Sequence, residues 1–470
     1  MKRWICALFA CLSLGVVTAC RPTLEVGIVR TPTPGPEPAL GRLAYVKDDD
    51  IWVQPLPDGA PRRLTSDGRS HTSPRWSPSG EWLSYLRMAG ELWVMRADGR
   101  DAHRLPAAGA DCAPAWSPAE DRLAYVTLQG HLTIADPAQE AASLRAPDAA
   151  AGLEWVQRLA WSPDGQWLAC EVAQWTRAED RGMGRPPARQ VLRLVRADGG
   201  ESHDLWTEAR PMESALRLAG WSGDATRVLF WQGPASASIE ADGLPLMSIP
   251  AVGGEPARLA AAVLTQPGHV VPQPGAGPLA LVTGSGREPW RERPLQVMAA
   301  GGEGAQTLSA PGQAVAGAAW APGGQRLAYV AMPVRLSVAS QEEGLAALNE
   351  RRIWAVNADG GERRQLTDDS AYRDECPLWS PDGEHILFAR VRDWRVSLRL
   401  MRADGRDLRA VASDLLRAPV LFDQYGRVDW RAVFDWWTGL KQIPEHPERR
   451  PTAPGAPGAS REQAGGEARL

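Results

Sequence analysis

Short hydrophobic runs recur along the chain, and each run is bounded by Gly, Pro or Asp. The clearest unit starts at Trp379 with the letters WSPDGEHILFA and continues with LRLM at 398–401 and Ala-Asp-Gly at 403–405. Runs of four to six residues that are rich in β-branched and aromatic side chains predict β-strands, whereas helices would need a period of about 3.6 residues. Each unit therefore reads as four strands: strand a ends at the tryptophan, strands b and c follow, and strand d is short.

The same unit recurs from one end of the chain to the other, which predicts a repeat fold. Other copies begin at Trp76, Trp116, Trp161, Trp221 and Trp320. A weak copy near residues 270–308 lacks the tryptophan, and the first copy, which contains Leu43, lacks strand a. Four-stranded units of this kind are typical of propeller blades, and we attribute the recurrent tryptophans to packing between blades.

The end of the repeat region contains a candidate for the missing strand. Residues 426–433 (GRVDWRAV) look like a lone strand a. Pairing them with the first copy would close the ring and leave no free sheet edge. The sequence thus predicts an all-β fold with a single β-propeller of four-stranded blades over residues 42–440. Eight blades are favoured, and seven are the alternative because one copy is weak.

The repeat resembles a known family of propellers. Its Trp-Ser-Pro-Asp-Gly segment, the following Leu-Ala-Tyr run and the later Ala-Asp-Gly are similar to the WD40-like repeat of TolB-type propellers over about residues 42–433. The same repeat occurs in propellers of the prolyl oligopeptidase and dipeptidyl peptidase kind. The resemblance implies the fold rather than the function. TolB has a separate N-terminal α/β domain, for which residues 21–41 are too short.

The two ends of the chain differ in composition from the repeats. Lys2 and Arg3 precede a mostly apolar run at 5–17, which is too short to span a bilayer and is soon followed by Cys20. This resembles the lipobox of bacterial lipoproteins. We expect a signal peptide at 1–19, lipidation at Cys20 and export to the cell envelope with a membrane anchor; an ordinary cleaved signal peptide is the alternative. Residues 20–41 predict a Pro-rich spacer and 441–470 a disordered tail.

Composition and motifs argue against several classes of function. The formal net charge is −4, which gives no reason to expect a nucleic-acid partner. The chain contains no Gly-x-Ser-x-Gly and no His-Glu-x-x-His, so it lacks the sequence signatures of a hydrolase nucleophile and a zinc protease. We expect no catalytic residues, no metal and no cofactor. Calcium at Asp48–Asp50 is a lesser alternative to a solvated turn.

The b–c loops vary in length, while the a–b and c–d turns are short and alike. Long b–c loops are predicted at 173–189, 232–243, 283–293 and 332–351. Variable loops on a rigid ring commonly carry binding sites, so we expect a partner to bind the face formed by the b–c loops and the d–a connections, called the b–c face. Tryptophan and arginine are enriched at binding hot spots. The candidate binding residues are Trp175, Arg177, Trp290, Arg291, Trp394 and Arg395.

Residues that enter strand a from the b–c face should line the mouth of the central funnel. The candidates are His71, Asp111, Asp374 and Glu375. Because most of them are acidic, they favour a cationic group or a metal ion as ligand. The sequence favours a monomeric, non-enzymatic binding scaffold for an envelope protein or envelope glycan. The alternative is a secreted propeller enzyme, of the polysaccharide lyase or lactonase type, with its site in the funnel.

Overall fold

Short β-strands make up most of the structure, a computed structural model that describes residues 40–439 apart from 89, 107–111, 140–143, 146–152, 276, 416–422 and 424. The first eleven strands are β1 (Arg42–Lys47), β2 (Asp50–Pro55), β3 (Arg62–Arg63), β4 (His71–Trp76), β5 (Trp82–Arg87), β6 (Glu91–Arg96), β7 (His103–Arg104), β8 (Ala115–Trp116), β9 (Leu123–Val126), β10 (Leu132–Ala135) and β11 (Leu144–Arg145). The next eight are β12 (Glu154–Trp161), β13 (Trp167–Gln174), β14 (Arg189–Arg196), β15 (Ser202–Glu208), β16 (Ala215–Trp221), β17 (Arg227–Gly233), β18 (Leu244–Pro250) and β19 (Ala257–Val263).

The second half of the chain continues the same pattern. Its strands are β20 (Val270–Pro272), β21 (Leu279–Val282), β22 (Leu295–Met298), β23 (Gln306–Thr307), β24 (Gln313–Trp320), β25 (Arg326–Pro333), β26 (Arg352–Asn357), β27 (Arg364–Gln365), β28 (Arg373–Trp379), β29 (His385–Arg392), β30 (Arg395–Arg402), β31 (Arg409–Ala412) and β32 (Phe434–Trp437). The helices are α1 (Ala178–Gly182), α2 (Ala237–Ala241) and α3 (Gln341–Ala347), with 3₁₀ turns at Leu348–Glu350 and Trp430–Ala432. No helix among the described residues is long and apolar enough to cross a membrane.

The described strands form eight four-stranded sheets arranged as the blades of a propeller, which confirms the predicted fold and the favoured blade count. Blades 2 to 8 each take four consecutive strands, from β4–β7 to β28–β31, and blade 1 contains β32, β1, β2 and β3. The last strand closes the ring, because Trp437 pairs with Arg42 and Phe434 with Tyr45. The sequence placed the closing strand at 426–433, but it begins at Phe434, and Trp430 lies in a 3₁₀ turn before it.

A hydrophobic cluster lies between each successive pair of blades, so the core is distributed around the ring. Between blades 8 and 1, for example, Leu387 and Leu398 pack with Leu43 and Trp436. Equivalent clusters join the other neighbouring blades. Burial of these apolar side chains is the main favourable contribution to folding. The blades are therefore stable only as neighbours, as expected for a closed repeat fold.

Hydrogen bonds of the recurrent tryptophans add a second link between blades. The indole N–H of Trp161 donates to the carbonyl of Ala115 at 2.9 Å, that of Trp221 to Ala160 at 3.0 Å, and that of Trp379 to Ala319 at 3.2 Å. In each case the acceptor directly precedes the tryptophan of the preceding blade. The recurrent tryptophan thus packs between blades, as predicted, and also fixes the distance from one strand a to the next.

We expect Trp379→Phe to lower the free energy of unfolding by about 1–2 kcal/mol, because it removes this hydrogen bond and part of the buried ring. Trp231→Phe is the matched control, since Trp231 is equally buried but its indole N–H has no acceptor among the described residues. Urea titration followed by circular dichroism measures both. A loss for Trp231→Phe as large as for Trp379→Phe would show that the indole hydrogen bond contributes nothing.

Strand a is irregular, and this shapes the funnel. Among the described residues, the pairing of strands a and b shifts register in five blades, including between Glu375 and Leu378 in β28. Cys376 in that bulge has a φ of +53°. Such bulges bend a strand and redirect its side chains.

The predicted signal peptide, the lipid anchor at Cys20, the spacer and the C-terminal tail lie outside the described residues and stay predictions.

Candidate functional site

Exposed apolar side chains are concentrated on the b–c face of the described structure. Those in b–c loops or d–a connections are Met88, Leu128, Met183, Met212, Ile239, Leu336 and Trp394. On the opposite face, made by the a–b and c–d turns, the described residues with large exposed hydrophobic side chains are Val252 and Leu408. The b–c face is therefore the more apolar of the two faces of the ring. The distribution favours the b–c face as the binding face.

The predicted tryptophan–arginine pairs lie on blades 4, 6 and 8 and do not form one patch. Trp175 and Arg177 lie between β13 and β14, where the indole N–H of Trp175 donates to the carbonyl of Arg185 at 2.9 Å. Trp394 is half-exposed in the tight turn between β29 and β30, with a φ of +61°, and Arg395 follows it. These side chains remain candidates for contact with a ligand.

The pair on blade 6 is divided between core and surface. Trp290 is buried with Ala314, Met332 and Leu348, and a Cβ atom at Gly344 would lie 2.3 Å from its ring. Arg291 is exposed and pairs with Glu288 at 2.8 Å. Trp290 therefore holds the b–c loop of blade 7 against blade 6. This packing does not support Trp290 as a direct contact for a ligand.

A cavity of about 270 Å³ lies beside the Trp394 turn on the b–c face. Its lining includes Tyr372, Arg390, Arg392, Arg395 and Asp414. The guanidinium of Arg390 lies 4.7 Å from the centre of the Tyr372 ring, so the wall is both aromatic and cationic. A larger cavity of about 500 Å³ next to Arg326 and 362–364 lies on the opposite face. We favour the smaller one, because it adjoins the exposed apolar loops.

The described funnel-mouth candidates His71, Asp374 and Glu375 are buried, and they form hydrogen bonds or ion pairs within the protein. The Nδ1 atom of His71 lies 2.9 Å from the carbonyl oxygen of Asp49 and 3.6 Å from Oδ1 of Asp50. Asp374 accepts two hydrogen bonds from Arg390, at 2.7 and 2.9 Å. Asp111 lies outside the described residues. In the described residues no group of three or more His, Cys, Asp or Glu side chains could hold a metal ion.

Glu375 lies among arginines that the sequence analysis did not single out. It accepts hydrogen bonds from Arg351, from Arg373 at 2.6 Å and from the indole of Trp430 at 3.0 Å. Two further arginines lie nearby. The charge of Arg427 lowers the pKa values of Arg293 and Arg351, and the charge of Arg351 also lowers that of Arg293. We call Arg293, Arg351, Arg373 and Arg427, together with His269, the arginine cluster. The acidic funnel residues thus do not create a site for a cation.

The arginine cluster is strongly coupled. Burial, followed by the charges of Arg351 and Arg427, lowers the pKa of Arg293 to about 10. Burial and then Arg293 lower the pKa of His269 to about 3, so this imidazole is neutral near pH 7. Burial alone would raise the pKa of Glu375, but Arg373 and Arg351 outweigh it and hold that pKa at about 2. At neutral pH the Glu375 carboxylate is therefore ionised, and Arg351 and Arg373 share it.

Arg293 and Arg351 could have been noticed in the sequence, because they are the last residues of two predicted b–c loops. Arg293 precedes β22 in blade 6, and Arg351 precedes β26 in blade 7. Arg373 begins β28 in blade 8, and Arg427 lies in the segment that leads to β32. Three blades and the closing segment thus supply the cluster, and no local motif contains it.

Comparison with known proteins supports the fold. No protein-family model matches the chain. A stretch of 68 residues, 14% of this chain, is 41% identical to the uncharacterized peptidase YuxL of Bacillus subtilis (strain 168) and corresponds to 8% of that protein. Dipeptidyl peptidase 4 of Porphyromonas gingivalis is similar in structure, with 11% identity and a TM-score of 0.55 over 80% of this chain and 58% of that one. This chain therefore spans little more than half of the peptidase.

Two further solved structures are similar at lower scores. An oligogalacturonate lyase in complex with manganese has 14% identity and a TM-score of 0.42 over 80% of this chain and 86% of that one. A putative TolB from Agrobacterium tumefaciens has 13% identity and a TM-score of 0.31 over 79% of this chain and 89% of that one. TolB proteins and propeller peptidases are thus among the structures that this propeller resembles.

The expectation that the chain is not an enzyme is wrong. It rested on the missing local motifs, whereas 68 residues of the chain are 41% identical to part of a curated peptidase. Missing motifs are weak evidence in a propeller, because side chains from separate blades can form a site that no short segment contains. The arginine cluster is a case of such an assembly.

Proposed function

We propose that this chain is the propeller part of a peptidase-type enzyme and that its b–c face binds the peptide substrate across the mouth of the funnel. The concentration of exposed apolar side chains on that face carries the proposal. Apolar loops around a rigid ring can hold side chains of an extended peptide, while the ring fixes their spacing. The local identity to a peptidase supports the substrate class.

The role assigned to this chain is substrate binding and positioning. It contains no Gly-x-Ser-x-Gly motif, so the proposal does not assign attack on the peptide bond to a serine of this chain. The cavity beside the Trp394 turn would receive one substrate side chain, since Tyr372 and Arg390 offer it an aromatic and a cationic wall. Remote binding of this kind orients a substrate for reaction.

Removal of three exposed apolar side chains from the b–c face is expected to weaken peptide binding about tenfold or more, because each buried apolar group contributes about 1 kcal/mol or more. The variant is Met183→Ser with Leu336→Ser and Trp394→Asn; asparagine tolerates the positive φ at that position. The full chain is immobilised and exposed to a defined peptide library, and retained peptides are quantified by mass spectrometry.

The control variant carries Val252→Ser and Leu408→Ser, which remove exposed apolar side chains from the opposite face. It should retain the same peptides as the parent chain, and both variants should keep the parent's melting temperature. Equal retention by the parent and the triple variant would contradict the proposed face. Retention of no peptide by the parent would contradict the proposed substrate class.

A further inference from the structure

The arginine cluster carries more positive charge than its protein partners neutralise. Glu375 is shared by Arg351 and Arg373, and Asp423 pairs with Arg427 at 2.6 Å. Arg293 donates instead to the backbone carbonyls of Gly286 and Glu288, which carry no net charge. The carboxylate of Glu288 pairs with Arg291 and also acts on Arg293 through its charge. Among the described residues, Glu375, Asp423 and Glu288 thus stand against the four guanidinium groups of the cluster and that of Arg291, which leaves the cluster short of negative charge.

Buried donor atoms of the same cluster have no hydrogen-bond partner in the described structure. They are Arg293 Nε, Arg351 Nε and Arg427 Nη1. The exposed fraction is 2% for Arg293, 4% for Arg351 and 5% for His269. A buried donor without an acceptor destabilises a protein by about 1–3 kcal/mol, and more when it is charged. Several such atoms in one place could all be satisfied by one bound acceptor.

The cluster is covered but lies next to solvent. The last turn of the b–c loop of blade 7 packs over it, since a Cβ at Gly426 would lie 2.7 Å from Leu348 and 2.9 Å from Leu345. Gly426 also accepts a hydrogen bond from Arg373. Arg427 is the most exposed member, with 19% of its side chain accessible. Arg427 therefore marks the side of the cluster that solvent reaches.

We propose that the arginine cluster is a carboxylate-binding subsite. That the molecule carrying the carboxylate is a peptide rests on the proposed function. A carboxylate accepts hydrogen bonds from guanidinium N–H groups in a fixed planar geometry. It would supply acceptors to the unpartnered donors and reduce the excess positive charge. The subsite would thus anchor one acidic group of a substrate at the centre of the b–c face.

Binding of N-acetylalanine to the full chain tests this subsite by isothermal titration calorimetry, with N-acetylalanine amide as the neutral counterpart. We expect the acid to bind at least about tenfold more tightly than the amide, because only the acid pairs with guanidinium. Arg427→Gln, at the accessible edge, and Arg293→Gln should each weaken binding of the acid about tenfold. Arg100→Gln removes an exposed arginine of the opposite face and should leave binding unchanged.

Equal affinity for acid and amide, or unchanged affinity in Arg427→Gln, would overturn the carboxylate subsite. Binding of inorganic phosphate without binding of N-acetylalanine would also overturn it, since the cluster would then be a phosphate site. A different result would contradict the proposed function without contradicting the subsite. If N-acetylalanine binds but the triple apolar variant retains peptides like the parent chain, the subsite stands and peptide binding on the b–c face does not.

Discussion

A chain that ends after Val433 is expected not to form the closed propeller. The truncation removes β32, which supplies strand a of blade 1 and buries Phe434, Trp436 and Trp437 in the clusters between blades. Loss of each buried aromatic side chain costs about 3–5 kcal/mol. Together they amount to about 9–15 kcal/mol, which is comparable to the roughly 5–15 kcal/mol that typically stabilises a folded protein. The exposed edge of β1 would also favour association between chains.

The matched control for the truncation is a chain that ends after Gly439, which keeps β32. We expect it to show one cooperative thermal transition and to elute as the full chain does in size-exclusion chromatography. The chain that ends after Val433 should lose the near-ultraviolet circular dichroism of packed tryptophans and should aggregate. Identical melting curves for the two truncated chains would contradict closure of the ring by β32.

Glu375→Gln is expected to lower the free energy of unfolding by about 3–5 kcal/mol, because it leaves Arg351 and Arg373 buried without their shared anion. Glu384→Gln is the control, since Glu384 is exposed and lies 3.5 Å from Arg402. An exposed pair of this kind contributes about 0–1 kcal/mol. Urea titration at pH 7 measures both. If the two variants lose the same small amount, the buried pairs do not stabilise the funnel.

The stabilising effect of Glu375 should depend on pH in one direction. Its pKa is lowered from 4.5 to about 2 in the folded chain, so the folded state favours the ionised form. The corresponding contribution, about 3 kcal/mol, is present above pH 4.5 and is lost as the pH falls towards 2. The difference in stability between the parent and Glu375→Gln should therefore shrink between pH 5 and pH 3. A difference that grows over this range would contradict the assigned ionisation.

Local patterns in the sequence were sufficient to predict the blades. Each strand and turn is encoded within a few residues, as in the Ser380–Gly383 turn, where the Ser380 hydroxyl donates to Asp382 and Gly383 has a φ of +70°. The closing strand was predicted several residues too early because Trp430, 51 residues after Trp379, was taken as one more recurrent tryptophan at the end of a strand a. In the structure Asp429 caps a 3₁₀ turn by accepting a hydrogen bond from the Arg431 amide at 3.0 Å, and the strand starts after that turn.

The funnel could not be predicted from local patterns, because its contacts join distant segments. Glu375 was identified as an acidic residue at the funnel mouth, but its charge partner Arg351 lies on the neighbouring blade and Arg293 on the one before it. The bulge after Glu375 also changes the direction of side chains along strand a, and alternation alone does not reveal such a bulge. The burial of Trp290 could not be predicted for the same reason, since it depends on contact with Gly344 in the b–c loop of the next blade.

Hydrogen–deuterium exchange of the full chain with a saturating amount of a retained library peptide tests the central proposal most directly. We expect slower amide exchange in the b–c loops, above all at 334–351 and in the Trp394 turn, and unchanged exchange in the c–d turns around Val252 and Leu408. Slower exchange confined to those c–d turns, or no change in any b–c loop, would contradict substrate binding on the b–c face.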